Sequence, residues 1–299
     1  MNFKVMSDGA CDLTNDILKE HNIETVPFYI SIDGVNYKKE GVELEVQDFY
    51  QHMVDNPGVF PKTSMPTTVD FVDAFTPYAK NGTPIIFVTI TEKFSGSYNN
   101  ACLAKQTILE EYPNAKIEII NSMTDTCIQG LFVLEIARMA EQGLTFEEAV
   151  EKALYIRNTS RIFFTINGLD YLYHGGRIGK LTSIIGKTLK LKPLIVLKDG
   201  EIYPKGIALT RKLSMVKVCD FAKKYLEVNN WDYHDYRFIV GYGYDIEEGI
   251  HLQEKIKTIF PDAEVLAQHI GATIGVHTGP YPIGVGLIRK YDAQKVELK

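Results

Sequence analysis

Two serines flank a glycine in "FSGS", residues 94–97, a loop that follows the apolar run Ile85–Val88 and holds neither a carboxylate nor a histidine. Three further stretches share its character: "SDGACD" (7–12), "TSMPT" (63–67) and "NSMTDT" (121–126), all rich in Ser, Thr, Asp, Asn or Gly. Hydroxyls and backbone N–H groups at helix N-termini make a ready anion site. Helix capping accounts for any one such loop, because Ser and Thr are ordinary N-caps. Together, with two of them nearly free of charge, they point to a site for one small polar head group.

Other chemistries fit less well. "GKLTSIIGKT" resembles a Walker loop, but Gly179 lies too far ahead of Gly186-Lys187-Thr188, and "GYGYDIEEG" has Ile246 where a third dinucleotide-loop glycine would fall. None of the seven histidines sits in an H-E-x-x-H or a cysteine–histidine knuckle, so no metal is expected. His277 differs from the rest because "GATIGVHTGP" surrounds it with glycines that let backbone approach a ligand closely. A ligand contact and a satisfied histidine in a glycine-rich turn are both open there. A hydrolase trio can be assembled from Ser95, Asp125 and His277, yet Ser95 lies outside a G-x-S-x-G elbow and geometry alone identifies a triad.

These residues need elements to position them. A chain of 299 residues is long enough for two domains, and a boundary near residue 160 divides it into 1–160 and 161–299. In the first part "FKVM", "TVPFYISI", "PIIFVTI" and "KIEII" read as strands alternating with helices, which predicts an open parallel sheet covered on both faces. Ligands bind such sheets beyond the carboxyl ends of the strands, where the four loops are expected to gather. Thr67 or Thr68 is expected to cap a helix, and Thr145 with Glu148 has capping-box spacing. In the second part "RIFFTI" is a strand, "LTSIIGKTLKL" reads as helical, and Asp199-Gly200 joins two strands in an antiparallel hairpin. Helices over 211–228 and 247–260, the strand "YRFIVGYG" and two closing strands complete a second α/β domain with a mostly antiparallel or mixed sheet. A net charge of −6 argues against a nucleic-acid surface. Four scattered cysteines, no signal-peptide core and no membrane-length apolar run lead us to expect a soluble cytoplasmic protein, with at most transient membrane-surface contact.

Between Asp170 and Asp199 there is no carboxylate, while Arg177, Lys180, Lys187, Lys190, Lys192 and Lys198 form a basic island that reads either as a solvated face or as a docking surface. "SDGACDLT", "TSMPT", "SGSYNNA", "YLYHGGRIGK", "KPLIVLKDGEIYP", "LTRK" and "IGATIGVHTGP" occur in the order and rough spacing of the DegV family, which the whole chain resembles. The resemblance implies a non-enzymatic protein that binds a long-chain fatty acid, such as palmitate, between a Rossmann-like N-terminal domain and a C-terminal α/β domain. It implies a partner as well: a dihydroxyacetone-kinase-like fatty acid kinase that makes acyl phosphate for phospholipid synthesis. Carried over, Thr63, Ser95, His277 and Arg211 match the family's carboxylate-binding residues, and Arg177 matches the arginine that engages the kinase. Leu209 and Tyr281-Pro282 depart from the family pattern. The alternatives from another class are an acyl hydrolase using Ser95 and a phosphotransferase related to dihydroxyacetone kinase.

Overall fold

The computed structural model describes residues 2–184 and 191–295. β1 (Lys4–Asp8), α1 (Asn15–Glu20), β2 (Ile23–Val26), β3 (Tyr29–Ser31), β4 (Lys38–Lys39), α2 (Val46–Asp55) and β5 (Lys62–Ser64) come first. They are followed by α3 (Thr68–Asn81), β6 (Ile85–Thr89), α4 (Ser97–Glu111) and β7 (Ile117–Asn121). Four of these strands form a parallel sheet in the order β2-β1-β6-β7, and β4-β3-β5 form a separate small antiparallel one. α5 (Thr126–Glu141) and α6 (Phe146–Arg157) then lead into the second half.

That half contains β8 (Arg161–Thr165), α7 (Asp170–His174), β9 (Lys192–Lys198), β10 (Glu201–Ala208), α8 (Arg211–Asn229) and β11 (Tyr236–Tyr242). α9 (Ile246–Ile259), β12 (Val265–His269), α10 (Ala272–Thr278) and β13 (Ile283–Arg289) close the chain. Its sheet runs β10-β9-β8-β13-β11-β12, antiparallel throughout except for the parallel pair β11–β12. The fold is therefore α/β with one parallel and one mixed sheet.

Local chemistry explains most element ends. β1 and β6 are buried along their whole length, as strands covered on both faces must be. Thr67 and Thr145 each close a capping box, with Asp70 and Glu148 respectively. Asp199 and Gly200 both take positive φ, 53° and 80°, which matches the twist a two-residue hairpin requires.

Two segments differ from the sequence reading. Residues 181–184 of the expected helix belong to a 3-10 turn that starts at Gly179, where φ is +48°, and 185–190 lie outside the described residues. A glycine start followed by Thr182 and Ile184 gives an α-helix little intrinsic support. "GATIGVHTGP", read as a glycine-rich turn, contains the seven-residue helix α10. Gly275 is there for packing: a Cβ would lie 2.7 Å from the Phe49 ring and 2.9 Å from the Tyr50 hydroxyl.

α5 holds the two sheets together. Every residue of it except Arg138 and Glu141 is buried. Its side chains Leu131, Phe132 and Ile136 share one core with Val5, Ile86 and Val88 of the parallel sheet and with Ile239 and Ile288 of the mixed sheet. Each such side chain contributes about 1.5–3 kcal/mol on burial. Glu135, on the same helix, is fully buried and accepts from Arg138 at 2.6 Å, from Arg237 and from the Tyr291 N–H at 2.9 Å. A buried carboxylate of this kind is costly to break, because its loss removes three hydrogen bonds and leaves Arg138 and Arg237 to share Glu264. Glu135→Ala should therefore lower urea-unfolding stability by about 2–3 kcal/mol. Glu147→Ala, which removes the exposed partner of Lys116, should leave it essentially unchanged.

Candidate ligand-binding site

The "FSGS" loop is braced from below. Asp8, at the end of β1, accepts hydrogen bonds from Ser97 Oγ (2.7 Å), Gln129 Nε2 (2.8 Å) and the Ile90 N–H (2.9 Å). Burial pushes its carboxyl up to about 6 even though these bonds favour the ionised form. Ser97 is thus committed to the scaffold, while Ser95 Oγ accepts only from the Ser97 N–H at 3.2 Å and lines a cavity. "NSMTDT" ties itself off through Asn121 Oδ1 to the Met123 N–H and Ser122 Oγ to the Thr124 carbonyl, both at 3.0 Å.

One of the four loops does not sit where it was expected. "TSMPT" leaves β5 of the small antiparallel sheet, not a strand of the parallel one, because Thr63 pairs with Ile30 in β3. The result still brings Thr63 to the site. Its Oγ1 lies 3.3 Å from His277 Nε2 at the far end of α10.

Thr63, Ser95, Arg177 and His277 line one cavity of about 270 Å³, whose remaining wall includes Phe28, Ile90, Phe94, Phe164, Leu172 and Ile202. A narrower space of about 40 Å³ shares Asp125, Phe164, Ile274 and Thr278 with it and runs between α5 and the mixed sheet. Gly241 and Gly286 line this inner part, where a Cβ would come within 3.1 Å of Ile270 and 3.0 Å of Ile128. Missing side chains open the passage. On the other side of Thr63 and His277, a surface hollow of about 370 Å³ is bounded by Tyr37, Phe60, Lys62 and His174. The polar end of the cavity faces outward and its apolar end lies in the core.

His277 is half-buried, its enclosed Nδ1 has no partner, and its ring occupies the space that any Cβ at Gly175 would take. Burial, reinforced by the Arg177 charge, lowers its pKa to about 4, so the imidazole is neutral at neutral pH. Arg177 is half-buried and is held by the Phe94 carbonyl (3.0 and 3.1 Å) and the Gly175 carbonyl (2.7 Å). Arg211 stands apart: its Nη2 pairs with Glu248 Oε2 at 2.6 Å, linking the starts of α8 and α9, and it is not among the residues lining the cavity.

The basic island is partly neutralised. Lys180 pairs with Glu201 at 2.6 Å and Lys192 reaches Asn167, whereas Lys187 and Lys190 lie outside the described residues. No hydrogen bond joins any two of Ser95, Asp125 and His277. Among the described residues no cluster of three or more His, Cys, Asp or Glu could hold a metal, and no helix is long and apolar enough to cross a membrane. Asp8 reads in the sequence only as part of the "SDGACD" loop; its bracing role follows from its place at the end of a fully buried strand.

Two sheets that share a buried helix and enclose a polar-mouthed apolar cavity define an α/β protein with an internal ligand site. A family model described as "Uncharacterised protein, DegV family" matches residues 2–290, and the chain belongs to the DegV family. It is 30% identical to a DegV domain-containing protein of Clostridium perfringens over 93% of this chain and 94% of that one. A solved stearic acid-binding protein from Eubacterium ventriosum is 43% identical, with a TM-score of 0.92 over 97% of this chain and 99% of that one. A fatty-acid-binding DegV family protein from Thermus thermophilus, 24% identical, shares the fold at a TM-score of 0.87 over 97% and 100% of the two chains.

The neutral imidazole has a measurable consequence. An unfolded chain takes up a proton near pH 6.5 and the folded one only near 4, so His277 costs stability as pH falls through that window. Delipidated protein should lose about 3 kcal/mol relative to His277→Gln between those two values, read by denaturant titrations at each pH. Parallel stability profiles for the two proteins would show that His277 titrates normally.

Proposed function

We propose that this protein is a non-enzymatic carrier of a long-chain fatty acid such as palmitate. The observation that carries the proposal is the meeting of Thr63, Ser95 and the neutral His277 at the outer end of a cavity whose inner end is apolar. Neutral hydroxyls suit a single carboxylate: hydrogen bonds to a charged group contribute roughly 1.5–3 kcal/mol each. Arg177 adds a positive charge beside them. Arg211 is left out of the head-group set because Glu248 already engages it. The tail supplies most of the affinity, since burying about fourteen methylenes at ~0.8 kcal/mol each gives on the order of 11 kcal/mol before ordering costs. Stearic acid binding by the 43%-identical relative from E. ventriosum supports the same reading.

In this proposal residues 1–160 carry the carboxylate-binding loops and 161–299 close the tunnel. The carrier works in the cytoplasm and hands the exposed carboxylate to a dihydroxyacetone-kinase-like fatty acid kinase. That kinase forms the acyl phosphate used for phospholipid synthesis. The outward hollow beside Thr63, Arg177 and His277 gives the kinase access to the head group.

Native mass spectrometry of the purified protein should show an added acyl mass that disappears under denaturing conditions. A spectrum without it, and no uptake on titration with palmitate, would sink the proposal. Ser95→Ala and Thr63→Val should each weaken palmitate about tenfold while leaving hexadecanol binding unchanged, because only the acid uses anion-directed bonds. Equal losses for acid and alcohol would make these residues part of the tunnel wall. Arg177→Ala should lower acyl-phosphate formation with a cognate kinase by far more than it lowers palmitate affinity, and the deficit should grow with salt. Normal turnover by this variant would remove Arg177 from partner recognition.

A further inference from the structure

Asp125 is the one carboxylate shared by the walls of the outer and inner cavities. It is the N-cap of α5, and an aspartate there ordinarily folds back to accept an N–H from the first turn. This one does not. Its φ and ψ are −149° and 179°, the next residue Thr126 is left-handed at φ +48°, and the carboxyl makes no cap hydrogen bond. Neighbouring hydroxyls are committed elsewhere: Thr126 Oγ donates to Asp12 at 2.5 Å, and Thr278 Oγ donates to the Ile274 carbonyl at 3.1 Å. The residue is 9% exposed and lines the inner space with Phe164, Ile274 and Ile128, with only its backbone carbonyl engaged, by the Gln129 N–H. A polar group in such surroundings is costly unless a partner reaches it.

We propose that the cavity is built for a fatty acid carrying a hydroxyl partway along its chain, with Asp125 as the hydrogen-bond partner of that hydroxyl. The inference rests on the fatty-acid reading and goes beyond it by naming the acyl class. A saturated chain passes the junction of the two spaces and leaves the carboxyl unpaired. A hydroxylated chain pairs it at the same point and keeps its methylenes against the walls. Burial raises the Asp125 carboxyl to about 7, so near neutrality it can both donate and accept. A site shaped to bond a hydroxyl discriminates against the analogue that lacks it, which a purely apolar wall cannot do.

The test compares stearate with a set of monohydroxystearates that differ only in hydroxyl position, using calorimetric titration of delipidated protein. One narrow range of positions should bind about tenfold tighter than stearate. Asp125→Leu should abolish that preference and leave stearate binding equal or tighter. If Asp125→Leu does not fold, isotope-edited infrared spectra of the unmodified chain give the answer. The Asp125 carboxyl band should shift when the preferred hydroxystearate replaces stearate. Stearate binding with no positional preference, a preference that survives Asp125→Leu, or an unshifted band would each overturn this inference alone. Failure of stearate itself to bind would overturn the fatty-acid reading instead.

Discussion

α5 is apolar around almost its whole circumference, and that constraint governs the molecule. A helix of this kind cannot present one face to water, so both sheets must pack against it. The parallel sheet covers one side and the mixed sheet the other, which places their loops at a common end. Its first residue, Thr126, and its N-cap, Asp125, sit where the outer cavity narrows. The passage thus follows from covering one helix with two sheets and placing Gly241 and Gly286 on the strands of the mixed sheet that face it.

The head-group site depends on a second, electrostatic economy. Asp8 gathers Ser97, Gln129 and the Ile90 N–H, so the "FSGS" backbone is fixed by a carboxylate that never meets the ligand space. Hydroxyls on the cavity side stay neutral, and His277 stays neutral beside them. The single guanidinium nearby, Arg177, spends its donors on two backbone carbonyls and contributes its field from the rim. The polar end of the cavity thus offers neutral donors and one positive charge.

Much of this was legible in the sequence. Alternation of strands and helices marked the parallel sheet, Thr67 and Thr145 marked helix starts, and Asp199-Gly200 marked a hairpin, because each depends on residues adjacent in the chain. What escaped depends on distant partners. The Arg211–Glu248 pair joins two helices through residues 37 positions apart. Glycines in "GATIGVHTGP" suggested a turn, yet Gly275 serves a close approach to Phe49 and Tyr50. Thr63 was recognised through motif order, but only tertiary structure reveals that an edge of the small antiparallel sheet delivers it to His277.

Placing the inner passage within the main core, and not on a surface, ties occupancy to the lifetime of the chain. Any occupant of the space between α5 and the mixed sheet touches the side chains that hold the two sheets together. Ligand at a hundredfold excess over its dissociation constant adds about 2.7 kcal/mol of folding stability. On the proposed function, loaded molecules would unfold less often and present fewer openings to proteases, while unloaded ones would turn over sooner. The amount of this protein in a cell would track the supply of its own cargo, with no regulator beyond the fold.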